Sequence, residues 1–364
     1  MKVSGPQTVR LVLSSLGGGG AEHVAVELCH QWANEGFNVQ VVLLREGGIR
    51  VVDLPVSVDL HVLNITRARY ALPKLRAWER KHGVCVTLVF GFEAAFVFAF
   101  GKFLGMLQSP LIFREGSLPE INLSWPRRVL YPFVLNKSDA VVVQSASMVR
   151  RVRWANRCQD KTIVIPNPVR EVSAERNDVV DKEWGRCEPI RILSIGRLSP
   201  EKGFTDLVNA FRDVLRLRPR SELTIYGEGI ERKHLEELIA RHNIQASVKL
   251  PGYRRIDQSI WRQSDVFVLS SHYEGQPNAL MQAIAAGLRV IATPASPATI
   301  DLLQACGLRD SMITSISGAE LCEKVDWCLQ APASLWSQAS TRLLEMSDPR
   351  KIAQRYLACF RQVA

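Results

Sequence analysis

The chain has 364 residues, 47% hydrophobic and 7% aromatic, with a formal net charge of +10. That length points to two domains, each able to bury its own core, and the composition is that of a soluble globular protein rather than a disordered one. The 8 cysteines form no Cys-x-x-Cys pair, which argues against a zinc ribbon or thioredoxin-like motif and for free thiols in a reducing cytoplasm.

The charge is uneven. Residues 1–170 carry 21 Lys+Arg against 12 Asp+Glu, whereas residues 171–364 carry 25 against 24. The basic first half suits either an acidic partner or a solvated basic surface. The start lacks a basic region followed by an apolar run and a cleavage site, so no secretory leader is expected.

In chain order, Val9–Ser15 reads as a strand ending in the run Gly17–Gly20. A helix follows over Ala21–Glu35, with Val24, Leu28, Cys29 and Trp32 at helical spacing. Phe37–Leu44 is the next strand, closed by Gly47-Gly48. Val84–Leu107 is the most apolar stretch, but Glu93, Lys102 and three glycines interrupt it. It reads as a buried strand and a buried helix, Ala94–Leu107, rather than a membrane span. Further strands are expected at Leu111–Phe113, Ala140–Val143 and Thr162–Ile165. Pro166-Asn167-Pro168 stops that series, and Arg170–Pro189 reads as a linker.

The second half repeats the alternation. Strands are expected at Ile190–Ile195, Glu222–Tyr226, Val248–Leu250, Val266–Leu269 and Arg289–Ala292. Helices are expected at Phe204–Leu217, Glu231–His242, Asp257–Ser264 and Pro277–Gly287. The tail Leu335–Ala364 reads as helical, with Leu343, Leu344, Ile352, Tyr356 and Phe360 as core positions. Apolar runs separated by helices predict an α/β fold of two doubly wound parallel sheets. Open parallel sheets bind ligands at the carboxyl ends of their strands, so two facing domains predict a site in the cleft between them.

Two segments carry the chemistry. Ser194-Ile-Gly-Arg-Leu-Ser-Pro-Glu-Lys-Gly203 ends a strand and offers Arg197 and Lys202. Gly196 lets the backbone approach a ligand. An arginine fork and a mobile ammonium together suit a diphosphate. Alone, the pair reads as surface cations; a second motif favours the diphosphate. That motif is Glu274-Gly-Gln-Pro-Asn278, just before a helix. The N–H groups of Asn278, Ala279 and Leu280 would face a phosphate at the positive end of the helix dipole. Glu274 would accept from sugar hydroxyls, or cap the helix. Asn278 and Gln282 share a helix face, and Gln282 reaches a ribose hydroxyl one turn in.

Trp125–Lys137, followed by Arg150, Arg151, Arg153, Trp154 and Arg157, mixes cations with large apolar groups. It suits either an anionic membrane surface or a core-facing helix with a basic side. Nucleic-acid recognition motifs are missing, so no nucleic-acid partner is expected.

The chain resembles the family-4 retaining glycosyltransferases of the GT-B fold, with two Rossmann-like domains facing across a cleft. The resemblance rests on Gly17-Gly-Gly-Gly-Ala-Glu22, Ile165-Pro-Asn-Pro168, Gly196-Arg-Leu, Glu201-Lys-Gly203, Tyr226-Gly-Glu-Gly229, Leu250-Pro-Gly-Tyr253 and Glu274-Gly-x-Pro-Asn. It implies an acceptor-binding domain over residues 1–170, a nucleotide-sugar domain over 171–345, and a C-terminal helix, 346–364, packing back on the first domain. It implies that Arg197 and Lys202 hold the donor diphosphate and that Glu274 contacts the donor sugar. Gly227 would belong to the donor site, Tyr253 and Arg254 would meet the nucleobase, and Gly19 and Gly20 would approach the donor phosphate or the acceptor. Gln282 stands where the family's Glu-x7-Glu motif has its second Glu; it keeps one acceptor oxygen and loses the charge.

Arg114-Glu115 follows a strand where many members place a His, or an acidic residue beside an Arg. Glu115 would orient an acceptor hydroxyl and Arg114 an acceptor phosphate, or the two form a salt-bridged loop pair. The expected activity is metal-independent, cofactor-free transfer from a UDP-sugar, or a GDP-sugar, to a lipid-linked or polysaccharide acceptor in bacterial surface-glycan synthesis. The expected location is the cytoplasm, peripheral on the inner membrane face. A nucleotide-sugar epimerase and a non-catalytic pathway partner are the alternatives.

Overall fold

The computed structural model describes residues 8–65, 70–116, 125–149, 161–171 and 188–364, with side chains left aside at 125–127. The chain divides into two compact units, one of Met1–Pro168 with Ser347–Ala364 and the other of Val169–Met346. Most of the linker expected at Arg170–Pro189 lies outside the described residues, as do Arg150, Arg151, Arg153, Trp154 and Arg157.

The first unit is built on β1 (Thr8–Leu13), β2 (Asn38–Leu43), β3 (Asp59–Val62), β4 (Thr87–Phe90), β5 (Leu111–Arg114), β6 (Ala140–Val143) and β7 (Thr162–Val164). Their order is β3-β2-β1-β4-β5-β6-β7, with every neighbouring pair parallel. β4 and β6 are buried at every position, as their uninterrupted apolar sequences require of strands covered on both faces. Among the described residues the sheet is accompanied by α1 (Gly20–Asn34), α2 (Ala71–His82), α3 (Phe92–Phe103) and α4 (Trp125–Lys137), together with a helix from the C-terminal tail.

β3 and α2 are additions to the sequence reading, and α4 is the helix that the sequence offered as one alternative for Trp125–Lys137. β3 is a short edge strand without a continuous apolar run, and α2 buries only Ala71, Leu75, Trp78 and Glu79. α4 carries Pro132 inside it, a residue that argues against helix from sequence alone. α3 departs from the buried helix expected over Ala94–Leu107. It buries Ala94, Ala95, Phe98, Ala99 and Gly101 but exposes Phe100, Phe103 and the following Leu104.

The second unit has β8 (Arg191–Ile195), β9 (Glu222–Tyr226), β10 (Val248–Gly252), β11 (Val266–Leu269) and β12 (Arg289–Ala292), ordered β10-β9-β8-β11-β12 and all parallel. Its helices are α5 (Phe204–Leu217), α6 (Arg232–Arg241), α7 (Gln258–Arg262), α8 (Asn278–Ala285), α9 (Pro297–Cys306), α10 (Gly318–Gln330) and α11 (Ala333–Ser347). The strand order reverses between β8 and β11, which makes their carboxyl ends the switch point of the sheet.

The helical tail is divided into two helices. Pro349 cannot continue α11, and the Asp348 carboxylate accepts from Lys351 N at 2.7 Å, capping α12 (Pro349–Val363). The break divides the expected core positions. Leu343 is buried, and Leu344 half-buried, in the second unit; Ile352, Tyr356 and Phe360 are buried in the first. Trp32 of α1 anchors α12: its ring lies 5.6 Å from Phe360 and 6.3 Å from Tyr356, and its Nε1 donates to Ala353 O at 3.2 Å. The 6 described cysteines are free, and Cys29, Cys306, Cys328 and Cys359 are buried.

Candidate active site

The two motifs of the second unit meet because β8 and β11 are neighbours, with Ile192 opposite Val266 and Leu193 opposite Phe267. The loop after β8 begins at Gly196, whose N–H donates to Tyr226 O at 3.0 Å. A side chain there would meet Phe204 at 3.1 Å. The loop closes through a 3₁₀ turn, Pro200–Lys202, and Gly203. Gly203 has φ +64, and a Cβ there would lie 2.2 Å from Ser270 O. Only glycine satisfies both the left-handed backbone and that contact with the neighbouring loop.

This turn fixes Lys202. Its carbonyl accepts from the Ser270 hydroxyl at 2.7 Å, and its Nζ donates to Glu274 Oε1 at 2.6 Å. Ser271 Oγ donates to the same carboxylate oxygen at 2.8 Å. The pair is mostly buried, with side-chain exposures of 23% and 13%. Lysine has three N–H donors and Glu274 takes one, so a phosphate can engage the others. Arg197 is different. The sequence treats both cations as preplaced, but Arg197 is exposed, and among the described residues its guanidinium makes no hydrogen bond or ion pair. Glu201 completes the loop. Burial pushes its carboxyl up, but the Ser199 hydroxyl at 2.6 Å, its own backbone, Lys202 and Arg197 outweigh that and hold it below the usual range.

Glu274 is held from its backbone as well. Its N–H donates to Ala295 O at 3.2 Å, the Ser296 hydroxyl donates to Gly275 O at 3.1 Å, and Thr293 Oγ1 donates to Ser271 O. Pro277, expected in the first helical turn, is instead the residue before α8. No side chain caps α8, and its first backbone donor within the helix is Met281, to Pro277 O at 3.1 Å. The N–H groups of Asn278, Ala279 and Leu280 therefore precede the helical ladder, beside Glu274. Asn278, Ala279 and Gln282 are half-buried, and Leu280 is buried in the core.

Gly227 has φ +148, and a Cβ there would fall 1.8 Å from Gly196 O, so the loop after β9 lies directly on the loop after β8. Tyr253 and Arg254 follow β10 and are exposed.

In the first unit, the Gly17–Gly20 loop follows β1. Gly19 is the residue before α1, and the Glu22 carboxylate folds over it, 2.5 Å from where a Cβ would stand. Gly20 is exposed. Gly48, at φ +130, packs against this loop, its missing Cβ 1.9 Å from Leu16 O.

Arg114 and Glu115 are both buried. Arg114 Nε donates to Tyr356 OH at 3.2 Å, Nη2 donates to Asn167 Oδ1, and the guanidinium lies 5.1 Å from the Phe90 ring centre. Arg114, expected to hold an acceptor phosphate, ties β5 to Asn167 and to α12. Glu115 lies beside Tyr131; burial first, then the carboxylate's charge, pushes the Tyr131 phenol well above its ordinary value.

Sequence reasoning missed Ser271, Thr293 and Ser296, which hold Glu274. The one signal was the density of hydroxyl residues flanking the motif in Ser270-Ser271 and Thr293–Ser296.

Two wholly parallel doubly wound sheets, with glycine-rich loops and a Lys–Glu pair at the switch point of the second, define a doubly wound α/β protein with a candidate ligand site at that switch point. A family model described as Glycosyltransferase Family 4 matches residues 18–171, and one described as Glycosyl transferases group 1 matches residues 180–305. An uncharacterized glycosyltransferase of Methanocaldococcus jannaschii is 28% identical over 168 residues, 45% of this chain and 41% of the relative. The lipopolysaccharide core biosynthesis glycosyltransferase LpsE of Rhizobium meliloti is 25% identical over 282 residues, 76% of each protein. The chain thus spans less than half the length of the first relative and about three quarters of the second. Among solved structures, Anabaena HepE in complex with UDP-glucose superposes with a TM-score of 0.79 at 18% identity, covering 98% of this chain and 99% of its own. The chain belongs to the family-4 glycosyltransferases and has their GT-B fold.

Proposed function

We propose that the protein is a retaining glycosyltransferase that moves a sugar from a nucleoside-diphosphate donor, a UDP-sugar in preference to a GDP-sugar, onto a lipid-linked or glycan acceptor in bacterial surface-glycan synthesis. The observation that carries this reading is the Lys202–Glu274 pair at 2.6 Å beside the uncapped start of α8. It sets a diphosphate-binding cation against a carboxylate suited to sugar hydroxyls. LpsE, a lipopolysaccharide core enzyme, supports the surface-glycan context, and HepE, solved with UDP-glucose, supports the uridine donor.

In this reading the bond from the anomeric carbon to the diphosphate oxygen breaks. The acceptor oxygen forms its bond on the same face, and its proton passes to the departing diphosphate. Lys202, Arg197 and the α8 dipole stabilise the charge that grows on the leaving group, more in the transition state than in the ground state. Glu274 fixes the sugar, Gln282 takes a ribose hydroxyl with its one acceptor oxygen, and Tyr253-Arg254 borders the base. Three positive groups meet the leaving charge, so the reading needs no metal or other cofactor; equal turnover with and without EDTA is expected. A lipid-linked acceptor brings the enzyme to the anionic inner face of the membrane.

The test is incubation with a panel of UDP- and GDP-sugars and a glycan acceptor pool, with the anomeric proton of the product followed by NMR. A new glycoside with the donor's own anomeric configuration supports the proposal. An inverted product removes the retaining mechanism. Donor epimerised without acceptor supports the epimerase instead, and no turnover of any donor supports the non-catalytic role that Gln282 suggests.

A further inference from the structure

The loops that follow β8, β9 and β10 meet at one residue that the proposed chemistry does not use. Glu228 lies in the loop after β9. Its carbonyl accepts from Leu198 N at 2.9 Å, so its backbone holds the loop that carries Arg197. Its carboxylate lies on the loop after β10: a Cβ at Gly252, which has φ +88, would fall 2.7 Å from Glu228 Oε1. Beside it, the Gly227 N–H donates to Gly252 O at 3.0 Å.

Arg232, the first residue of α6, completes the contact. Its Nε and Nη2 donate to the two Glu228 carboxylate oxygens, each at 2.7 Å, and its Nη1 donates to Glu236 at 3.0 Å. Nη1 and Nη2 also reach Leu250 O, both at 3.4 Å. Leu250 falls where the register between β9 and β10 shifts, and Arg232 takes its carbonyl there. One guanidinium thus grips the loop after β9 and the end of β10 together.

The fork is open to solvent, with side-chain exposures of 52% for Glu228 and 28% for Arg232. An exposed ion pair adds little to stability, whereas a two-pronged guanidinium–carboxylate contact fixes geometry. Arg232 also holds the Glu228 carboxyl below its ordinary range, so the fork is charged at neutral pH. The geometry it fixes is that of Gly252, and the next two residues are Tyr253 and Arg254, both exposed.

We propose that the Glu228–Arg232 fork positions the Gly252-Tyr253-Arg254 loop against the nucleobase and so sets how strongly the enzyme distinguishes one nucleoside diphosphate from another. This rests on the nucleotide-sugar reading above. Both residues act through the loop rather than on the donor. Because the Glu228 carbonyl also holds the Arg197 loop, the same residue spaces the base end of the site from the diphosphate end.

The test is calorimetric titration of the full chain with UDP, GDP and inorganic pyrophosphate, on the wild type, Glu228→Gln, Arg232→Lys and the double variant. Glu228→Gln keeps the shape and removes the charge, whereas Arg232→Lys keeps the charge and removes the fork. Each single variant should bind the better-bound nucleotide at least about tenfold more weakly and narrow the ratio between UDP and GDP, while pyrophosphate affinity stays within about twofold of the wild type. Both side chains are exposed, so Tm should not change. The double variant should bind no more weakly than either single one, as two groups acting as a unit do. Unchanged nucleotide affinity in both single variants overturns the assignment, as does an equal loss of pyrophosphate affinity or a fall in Tm that parallels the loss of binding. A wild type that binds pyrophosphate as tightly as either nucleotide sinks the base loop alone; one that binds none of the three sinks the nucleotide-sugar reading with it.

Discussion

Lys202 Nζ and Glu274 Oε1, 72 residues apart in the chain, stand 2.6 Å apart at the switch point of the second sheet. The Ser271 hydroxyl donates to the same oxygen at 2.8 Å. In the proposed reading the pair links the group that meets a diphosphate to the group that meets a sugar. Lys202→Ala and Arg197→Ala are each expected to lower kcat/KM by at least about 100-fold, as the loss of one preorganised charge donor does. Steady-state kinetics with the identified donor checks this, and near-normal turnover in either variant refutes its role.

Ser271 is a positioning residue in this arrangement. Ser271→Ala frees one side of the Glu274 carboxylate while keeping the fold, so kcat should fall about tenfold with Tm nearly unchanged. Equal losses in Tm and activity would show a merely structural serine.

The loop that carries Lys202 depends on Gly203. Gly203→Ala must place a Cβ 2.2 Å from Ser270 O at φ +64, and about 2 kcal/mol or more of destabilisation is expected. Gly36 is the control: its φ is +82, but nothing lies within 4 Å, so Gly36→Ala should cost about 1 kcal/mol. Urea denaturation of the two variants checks the difference.

Arg114 should reveal itself through stability. Arg114→Met leaves Asn167 and Tyr356 OH without their buried partner, and a loss of about 2–4 kcal/mol is expected. Tyr356→Phe removes one bond and should cost about 1 kcal/mol. The acceptor-phosphate role read from the sequence expects the opposite, lost transfer at unchanged Tm.

The thiols set an alkaline limit. Burial pushes Cys306 up to about 11, against a smaller lowering by Arg342, and burial alone pushes Cys359 up to about 11. A raised folded-state value means that this contribution is complete below about pH 9, the ordinary thiol value, and is lost as pH rises towards 11. Tm should therefore fall between pH 9 and 11, less steeply in Cys306→Ala, and iodoacetamide at pH 8 should leave both thiols unmodified until the protein unfolds.

The sheets of both units were legible because buried parallel strands are uninterrupted apolar runs, as in Ala140–Val143 and Val266–Leu269. The two site loops were legible because glycine, proline and charge alternate there at fixed spacing. The pairing of Arg114 was not legible because its partners Asn167 and Tyr356 lie 53 and 242 residues away, and no local pattern reports such pairing. α3 misled because a run rich in Phe and Ala reads as core throughout, whereas its alanines and Phe98 pack inward and Phe100 and Phe103 face out. The tail was legible as helical, and the Asp348-Pro349 break sends its two halves to different cores.

The central claim is that Lys202 and Glu274 form part of a nucleotide-sugar site, and calorimetric titration with UDP tests it most directly. The wild type should bind UDP, Lys202→Ala at least about tenfold more weakly, and Glu274→Ala with nearly unchanged UDP affinity but weakened UDP-sugar affinity. UDP bound equally by wild type and Lys202→Ala would contradict the account.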